Sequence, residues 1–241
     1  MTSDPASKYN MKKLTVSEII DLAGGLFQLY KIGINSENKY FMYAIDTITE
    51  QLGWANHLRL YKSKKLDILD IGTGGGFFPY ICNLYGHNAY SCDERYNLPW
   101  EQGYKHLKIE PVNYLVRKNV SVEKTFDQKF DLIVSFRSFI GTTKQWMPKG
   151  DIEIWNVDEW KFFLKDCSEH LLKNLDSRIF FSCNRADELP PYNTMPKEEI
   201  TIWGSKELGT FFKPYQIDRG TFPDTFGNMF TITKEQIDNE L

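Results

Sequence analysis

The residues of this chain with the most evident chemical potential lie in one stretch, Leu66-Asp67-Ile68-Leu69-Asp70-Ile71-Gly72-Thr73-Gly74-Gly75-Gly76. An apolar run carries a carboxylate near its end, Asp70, and passes into glycines, after which Phe77 to Leu84 can continue as a helix. Glycines at a strand-to-helix turn let the backbone take positive φ and come close to a ligand, while the helix N-terminus presents unpaired N–H groups. The carboxylate places negative charge beside that turn. This suits a ligand bearing cationic groups, such as an ammonium and a sulfonium, better than it suits a pyrophosphate. The G-x-G-x-x-G fingerprint of dinucleotide binding fails in both registers, because the sixth position is Phe77 counted from Gly72 and Pro79 counted from Gly74. Further along, Gly86 to Asp93 reads as a turn, a short strand and a terminal carboxylate. In nucleotide-binding α/β folds an acidic residue roughly 20 positions after the glycines accepts hydrogen bonds from ribose hydroxyls. Asp93 is the candidate for that role, with Glu94 as its competitor.

The elements that must position these groups follow from periodicity. Thr15 with Glu18 three positions later predicts a capping box opening a helix, along which Val16, Ile19, Ile20, Ala23, Phe27 and Tyr30 fall at helical spacing. Gly24-Gly25 weakens that helix, and a second is expected from near Ser36, with Phe41, Ile45, Ile48 and Leu52 as its apolar stripe. From Leu66 the texture becomes short apolar runs alternating with helical stretches, the pattern of a parallel sheet wrapped by helices. The expected strands are Leu66 to Ile71, Ala89 to Cys92, Val112 to Val116, Phe130 to Phe136 and Arg178 to Cys183, with Phe226 to Thr233 as an antiparallel edge strand. Asn156 and Glu159 predict a capped helix carrying Trp160, Leu164, Cys167 and Leu171 on one face, and another helical stretch surrounds Ile200 to Phe212. The expected organisation is a helical cap over residues 1–60 and an α/β domain over residues 61–241.

The pattern D-x-G-x-G-x-G across Asp70, Gly72, Gly74 and Gly76 resembles motif I of the class I S-adenosylmethionine-dependent methyltransferases. Lys129-Phe130-Asp131-Leu132-Ile133-Val134-Ser135-Phe136 resembles the fourth strand of that family, and the helix after Asn156 with the strand Arg178 to Cys183 resembles its fifth helix-strand unit. The likeness spans about Leu66 to Thr233 and is greatest to bacterial members whose substrates are unassigned. It implies a Rossmann-like, mostly parallel seven-stranded sheet with an antiparallel edge strand, and S-adenosyl-L-methionine as cofactor. It also implies that Asp70, Gly72, Thr73, Gly74, Gly76, Asp93, Glu94 and Ser135 form the cofactor site. One departure stands out: the polar residue that usually meets the adenine after the third strand has no counterpart, and Val116, Arg117, Lys118 and Asn119 occupy that place. The acceptor is expected near the long connection from Gly141 to Ile154, where Arg137, Trp146, Asp151 and Trp155 are the candidates, joined by Tyr40 if the aromatic N-terminal helices form a lid. Core packing is the other reading of those aromatics.

Other signals bound the function. A formal charge of -3 gives no global attraction to a polyanion, so a small-molecule acceptor is expected rather than nucleic acid. Leu189-Pro190-Pro191-Tyr192 resembles the (D/N)PP(Y/F) motif of amino-methyltransferases acting on nucleic acid, but it has Leu where the polar residue belongs and follows the wrong strand. Apolar runs fall short of the roughly 20 residues of a membrane span, and a cytoplasmic protein is expected. Cys82, Cys92, Cys167 and Cys183 are widely separated, and the four histidines show no ligand or triad spacing, so no metal site is expected. The expectation is methyl transfer by in-line displacement. The alternatives are a non-catalytic S-adenosylmethionine-binding protein, a nucleic-acid amino-methyltransferase and a nicotinamide-dependent oxidoreductase.

Overall fold

The apolar run after Leu66 forms β1 (Asp67–Ile71), four of whose five residues are buried, as befits a parallel strand covered on both faces. It belongs to a computed structural model that describes residues 11–93, 99–138, 155–183, 206–217 and 229–241. By internal contacts the chain forms two compact units, Met1–Tyr114 and Leu115–Leu241.

In the first unit β1 pairs in parallel with β2 (Asn88–Asp93), with Asp70 opposite Ser91 and Ile71 opposite Cys92, and β2 pairs with β3 (Val112–Asn113). Among the described residues four α-helices precede β1. The capping box of Thr15 and Glu18 is formed and opens α1 (Val16–Leu22). At Gly24 and Gly25 φ is +86° and +88°, so the single weakened helix expected there is two, α1 and α2 (Leu26–Asn35). The next helix begins later than Ser36, which instead ends α2 and returns its hydroxyl to the Ile32 carbonyl at 2.6 Å. Asn38 caps α3 (Lys39–Met42), and α4 (Ala44–His57) follows. α4 packs on α5 (Phe77–Leu84), and Ile19, Leu29, Phe41, Ile48, Trp54 and Ile81 are fully buried. Between β2 and β3 lies α6 (Pro99–Leu107).

In the second unit β4 (Leu132–Ser138) pairs in parallel with β5 (Arg178–Cys183), and β6 (Met229–Thr233) closes antiparallel on β5. The capping box of Asn156 and Glu159 opens α7 (Val157–His170), and α8 (Lys206–Phe212) and α9 (Lys234–Glu240) complete the unit. Its core is aromatic: Trp160 stacks on Phe181 with centroids 5.4 Å apart and meets Phe212 edge-on at 5.1 Å.

The strand order is β3-β2-β1-β4-β5-β6, that of a mostly parallel Rossmann-like sheet with an antiparallel edge. Six strands stand among the described residues, and the expected seventh is not among them. β3 is also shorter than the run Val112 to Val116 suggested. It follows Pro111, which cannot donate to a ladder, both its residues are exposed, and pairing ends at Asn113.

Candidate functional site

Asp70 lies on β1 and is 3% exposed. Removal from water is the main reason its carboxyl is raised from 3.8 to about 7; the negative charge of Asp93 adds to the shift and the Thr73 hydroxyl opposes it. That hydroxyl is itself buried and closes no hydrogen bond of ordinary geometry. The turn beyond is held by the neighbouring strand, since the N–H groups of Gly72 and Thr73 both donate to the Cys92 carbonyl, at 2.9 and 3.3 Å. Gly72, Gly74 and Gly76 take φ of +77°, +54° and +79°, which residues with a Cβ rarely adopt. Gly76 is the N-cap of α5 and supplies no side chain, so the positive end of that helix faces the turn without a capping group.

Asp93 ends β2, and its Oδ2 accepts a hydrogen bond from the Gly74 N–H at 2.7 Å. The two carboxylates thus flank one glycine turn, Asp70 from beneath and Asp93 from the next strand. Two tyrosines close on the same turn. The Tyr104 hydroxyl, from α6, donates to the Gly74 carbonyl at 2.6 Å. The Tyr40 side chain lies so near that a Cβ at Gly75 would stand 2.7 Å from the Tyr40 Cβ. The Tyr40 ring meets Trp100 edge-on with centroids 5.8 Å apart, and the Lys39 ammonium lies 5.3 Å from its centre. The glycines here therefore admit aromatic side chains as well as bending the chain.

The structure brings together Asp70, Gly72, Thr73, Gly74, Gly76 and Asp93, and adds Tyr40 to them. Ser135 is buried on β4 of the other unit, opposite Phe181. Arg137 also lies on β4. Trp155 is 1% exposed, its ring set against Trp160 and Phe163 in the aromatic core, which leaves it a packing role there. Glu94, Trp146, Asp151 and the Leu189 to Tyr192 stretch lie outside the described residues. Of the residues considered for the adenine, Val116 is buried and the Lys118 ammonium pairs with Glu159 at 2.6 Å. Tyr104 and Trp100 were not foreseen. Pro99 at the start of a helical run was the signal available for them, because proline is favoured at the first helical position.

Burial pushes the Cys82 and Cys92 thiols up, which removes them as nucleophiles. His87 is a core residue: its Nδ1 accepts from the Leu66 N–H at 3.2 Å, so Nε2 carries the proton donated to the Leu60 carbonyl at 3.0 Å. Among the described residues no cluster of His, Cys, Asp and Glu could hold a metal, and no helix is long and apolar enough to cross a membrane.

No protein-family profile and no curated protein matches the chain. Solved structures do. A protein of Pyrococcus horikoshii OT3 is 15% identical with a TM-score of 0.49, over 78% of this chain and 91% of that one. The N-methyltransferase NodS of Bradyrhizobium japonicum WM9, solved with S-adenosyl-L-homocysteine, is 12% identical with a TM-score of 0.43, over 78% and 85% of the two chains. An S-adenosylmethionine-dependent methyltransferase of Clostridium acetobutylicum ATCC 824 is 18% identical with a TM-score of 0.32, over 52% and 45%.

Proposed function

We propose that this chain is an S-adenosylmethionine-dependent methyltransferase acting on a small-molecule acceptor. The observation that carries the reading is the glycine turn flanked by two carboxylates, buried Asp70 beneath it and Asp93 hydrogen-bonded to the Gly74 amide. Two acidic groups at one turn oppose a pyrophosphate and favour a ligand with cationic centres and ribose hydroxyls. The donor set fits such a cofactor: Asp70 supplies a charge that a cation would stabilise, Asp93 an acceptor for hydroxyls, and α5 a positive helix end with no side-chain cap. Glu94 and Ser135 complete the proposed cofactor residues. Arg137, Trp146, Asp151 and Tyr40 are the proposed acceptor residues, and Tyr40 is supported by its place on the turn.

When bound, the cofactor supplies an activated methyl group, so this chain's own task is to align an acceptor lone pair and exclude water. That task requires no nucleophile, in keeping with the raised thiols and the structurally engaged His87. The aromatic faces of Tyr40 and Trp100 can exclude water beside the turn.

The test is thermal stabilisation followed by turnover. S-adenosylmethionine and S-adenosyl-L-homocysteine should raise the melting temperature, while NAD should not, because a ligand selective for the native state adds its binding free energy to stability. Release of S-adenosyl-L-homocysteine with a panel of small acceptors separates an enzyme from a binding protein. Equal stabilisation by NAD, or none by either sulfur ligand, rejects the assignment.

A further inference from the structure

Gly74 is held by both of its backbone polar groups: its N–H donates to Asp93 Oδ2 at 2.7 Å and its carbonyl accepts from the Tyr104 hydroxyl at 2.6 Å. We propose that Tyr104 is a positioning residue which, opposite Asp93, locks Gly74 so that the turn is preorganised to receive the cofactor. The inference rests on the methyltransferase reading for the identity of the ligand. A glycine at φ +54° has neither a Cβ nor a neighbouring ladder to hold it there, and once released it samples both signs of φ. The amides of the turn would then reorient. Two hydrogen bonds from opposite sides remove that freedom before a ligand arrives, which lowers the ordering cost of binding.

The rest of the environment assigns the hydroxyl this work and leaves packing to the ring. Tyr104 is 4% exposed, and a Cβ at Gly76 would stand 3.2 Å from its Cδ1, so the ring fills the space under the turn. α6 is in turn fixed from the other side. His106 Nε2 lies 2.8 Å from the Ala23 carbonyl at the end of α1, and Gly103 leaves room for the Phe41 ring of α3. Tyr104 therefore refers the glycine turn to a helix that the N-terminal helices hold in place.

Tyr104→Phe keeps the ring and deletes only the hydroxyl. Amide hydrogen exchange in the ligand-free protein should show Gly74 exchanging about tenfold faster or more, with Leu69 and Ile71 of β1 unchanged. Calorimetry with S-adenosyl-L-homocysteine should show affinity about tenfold weaker. In the Gly74 exchange rate Asp93→Ala opens the same clasp from its other side, and the double variant should show less than the product of the two single accelerations, because both act through one residue. Unchanged Gly74 exchange, faster exchange at Leu69 and Ile71 alike, faster Gly74 exchange with wild-type affinity, or fully multiplicative accelerations of Gly74 exchange would each overturn the proposal. Failure of the wild-type protein to bind S-adenosyl-L-homocysteine rejects the methyltransferase reading instead, and the exchange comparison then decides the clasp on its own.

Discussion

Asp70 is the residue of the glycine turn whose acid–base chemistry its surroundings alter. Its carboxyl is raised from 3.8 to about 7 chiefly by burial. Between those values the folded chain retains a proton that the unfolded chain has released, so this contribution to stability is complete below about 3.8 and is lost as pH rises through about 7. Asp70→Asn should accordingly raise the melting temperature at pH 8 and change it little at pH 4. Ligand binding should run the other way. A cationic ligand favours the ionised carboxylate, so wild-type affinity should tighten as pH rises across 7 while the Asn variant shows a flat profile by calorimetry; parallel profiles would remove Asp70 from the site. For Asp93, replacement by Ala should weaken cofactor binding by about 1.5 to 3 kcal/mol, the worth of hydrogen bonds to a charged group, while the chain stays folded. Unchanged affinity would remove the ribose contact and would also count against a role in binding for the Asp93 clasp on Gly74. Both carboxylates and all the glycines were legible in the sequence, because a strand end and a positive φ constrain residue type locally. Tyr104 was not. Its contact with Gly74 joins positions 30 residues apart, and Pro99 marks only the helix that carries it, not the contact.

Among the elements, the two capping boxes and α5 match their sequence signals residue for residue, since a cap is a contact within four positions. α6 escaped notice because Gly103 and Pro99 both lower helix propensity, although the proline is tolerated at the first turn and the glycine serves the approach of Phe41. The join between the 3-10 turn Leu60–Lys62 and β1 depends on a side chain for its hydrogen bonds, because His87 bridges the Leu60 carbonyl and the Leu66 amide. Burial lowers its pKa below 6.5. The unfolded chain therefore takes up the proton first on acidification: stability is full above about 6.5 and falls as pH drops toward the folded value. His87→Ala should cost about 1 to 3 kcal/mol at pH 7, as expected when a buried amide loses its acceptor, and less at pH 5, where the wild-type imidazole contributes less. Denaturation at both pH values checks this, and a His87→Ala loss as large at pH 5 as at pH 7 would count against it.

At the scale of the molecule the open question is whether the N-terminal helices cap an acceptor site or cover the sheet, two readings that the sequence could not separate because aromatic stripes serve either. The packing bears on both. Phe41 of α3 lies against Phe77, the first residue of α5, with centroids 4.9 Å apart, and α4 packs along α5 itself. Phe41, Ile48 and Trp54 are fully buried, so deleting them uncovers the apolar partners they touch, Phe77 and its neighbours on α5 among them. Each large apolar side chain so exposed costs roughly 1.5 to 3 kcal/mol, and a few of them match the whole stability of an ordinary domain. Yet α3 also carries Tyr40, which touches the glycine turn, while Phe27 on α2 is 81% exposed and has no core to fill. A chain starting at Tyr61 should therefore fail to fold cooperatively, seen as loss of a sharp thermal transition and of S-adenosyl-L-homocysteine binding together. A truncated chain that melts sharply and binds the ligand, but transfers no methyl group, would instead make the helices a separable cap. Tyr40→Ala tests the cap without removing the cover: with Phe41 retained the fold should persist, and a change in acceptor KM or in cofactor affinity would place α3 at the reaction, whereas wild-type kinetics would leave it a covering element.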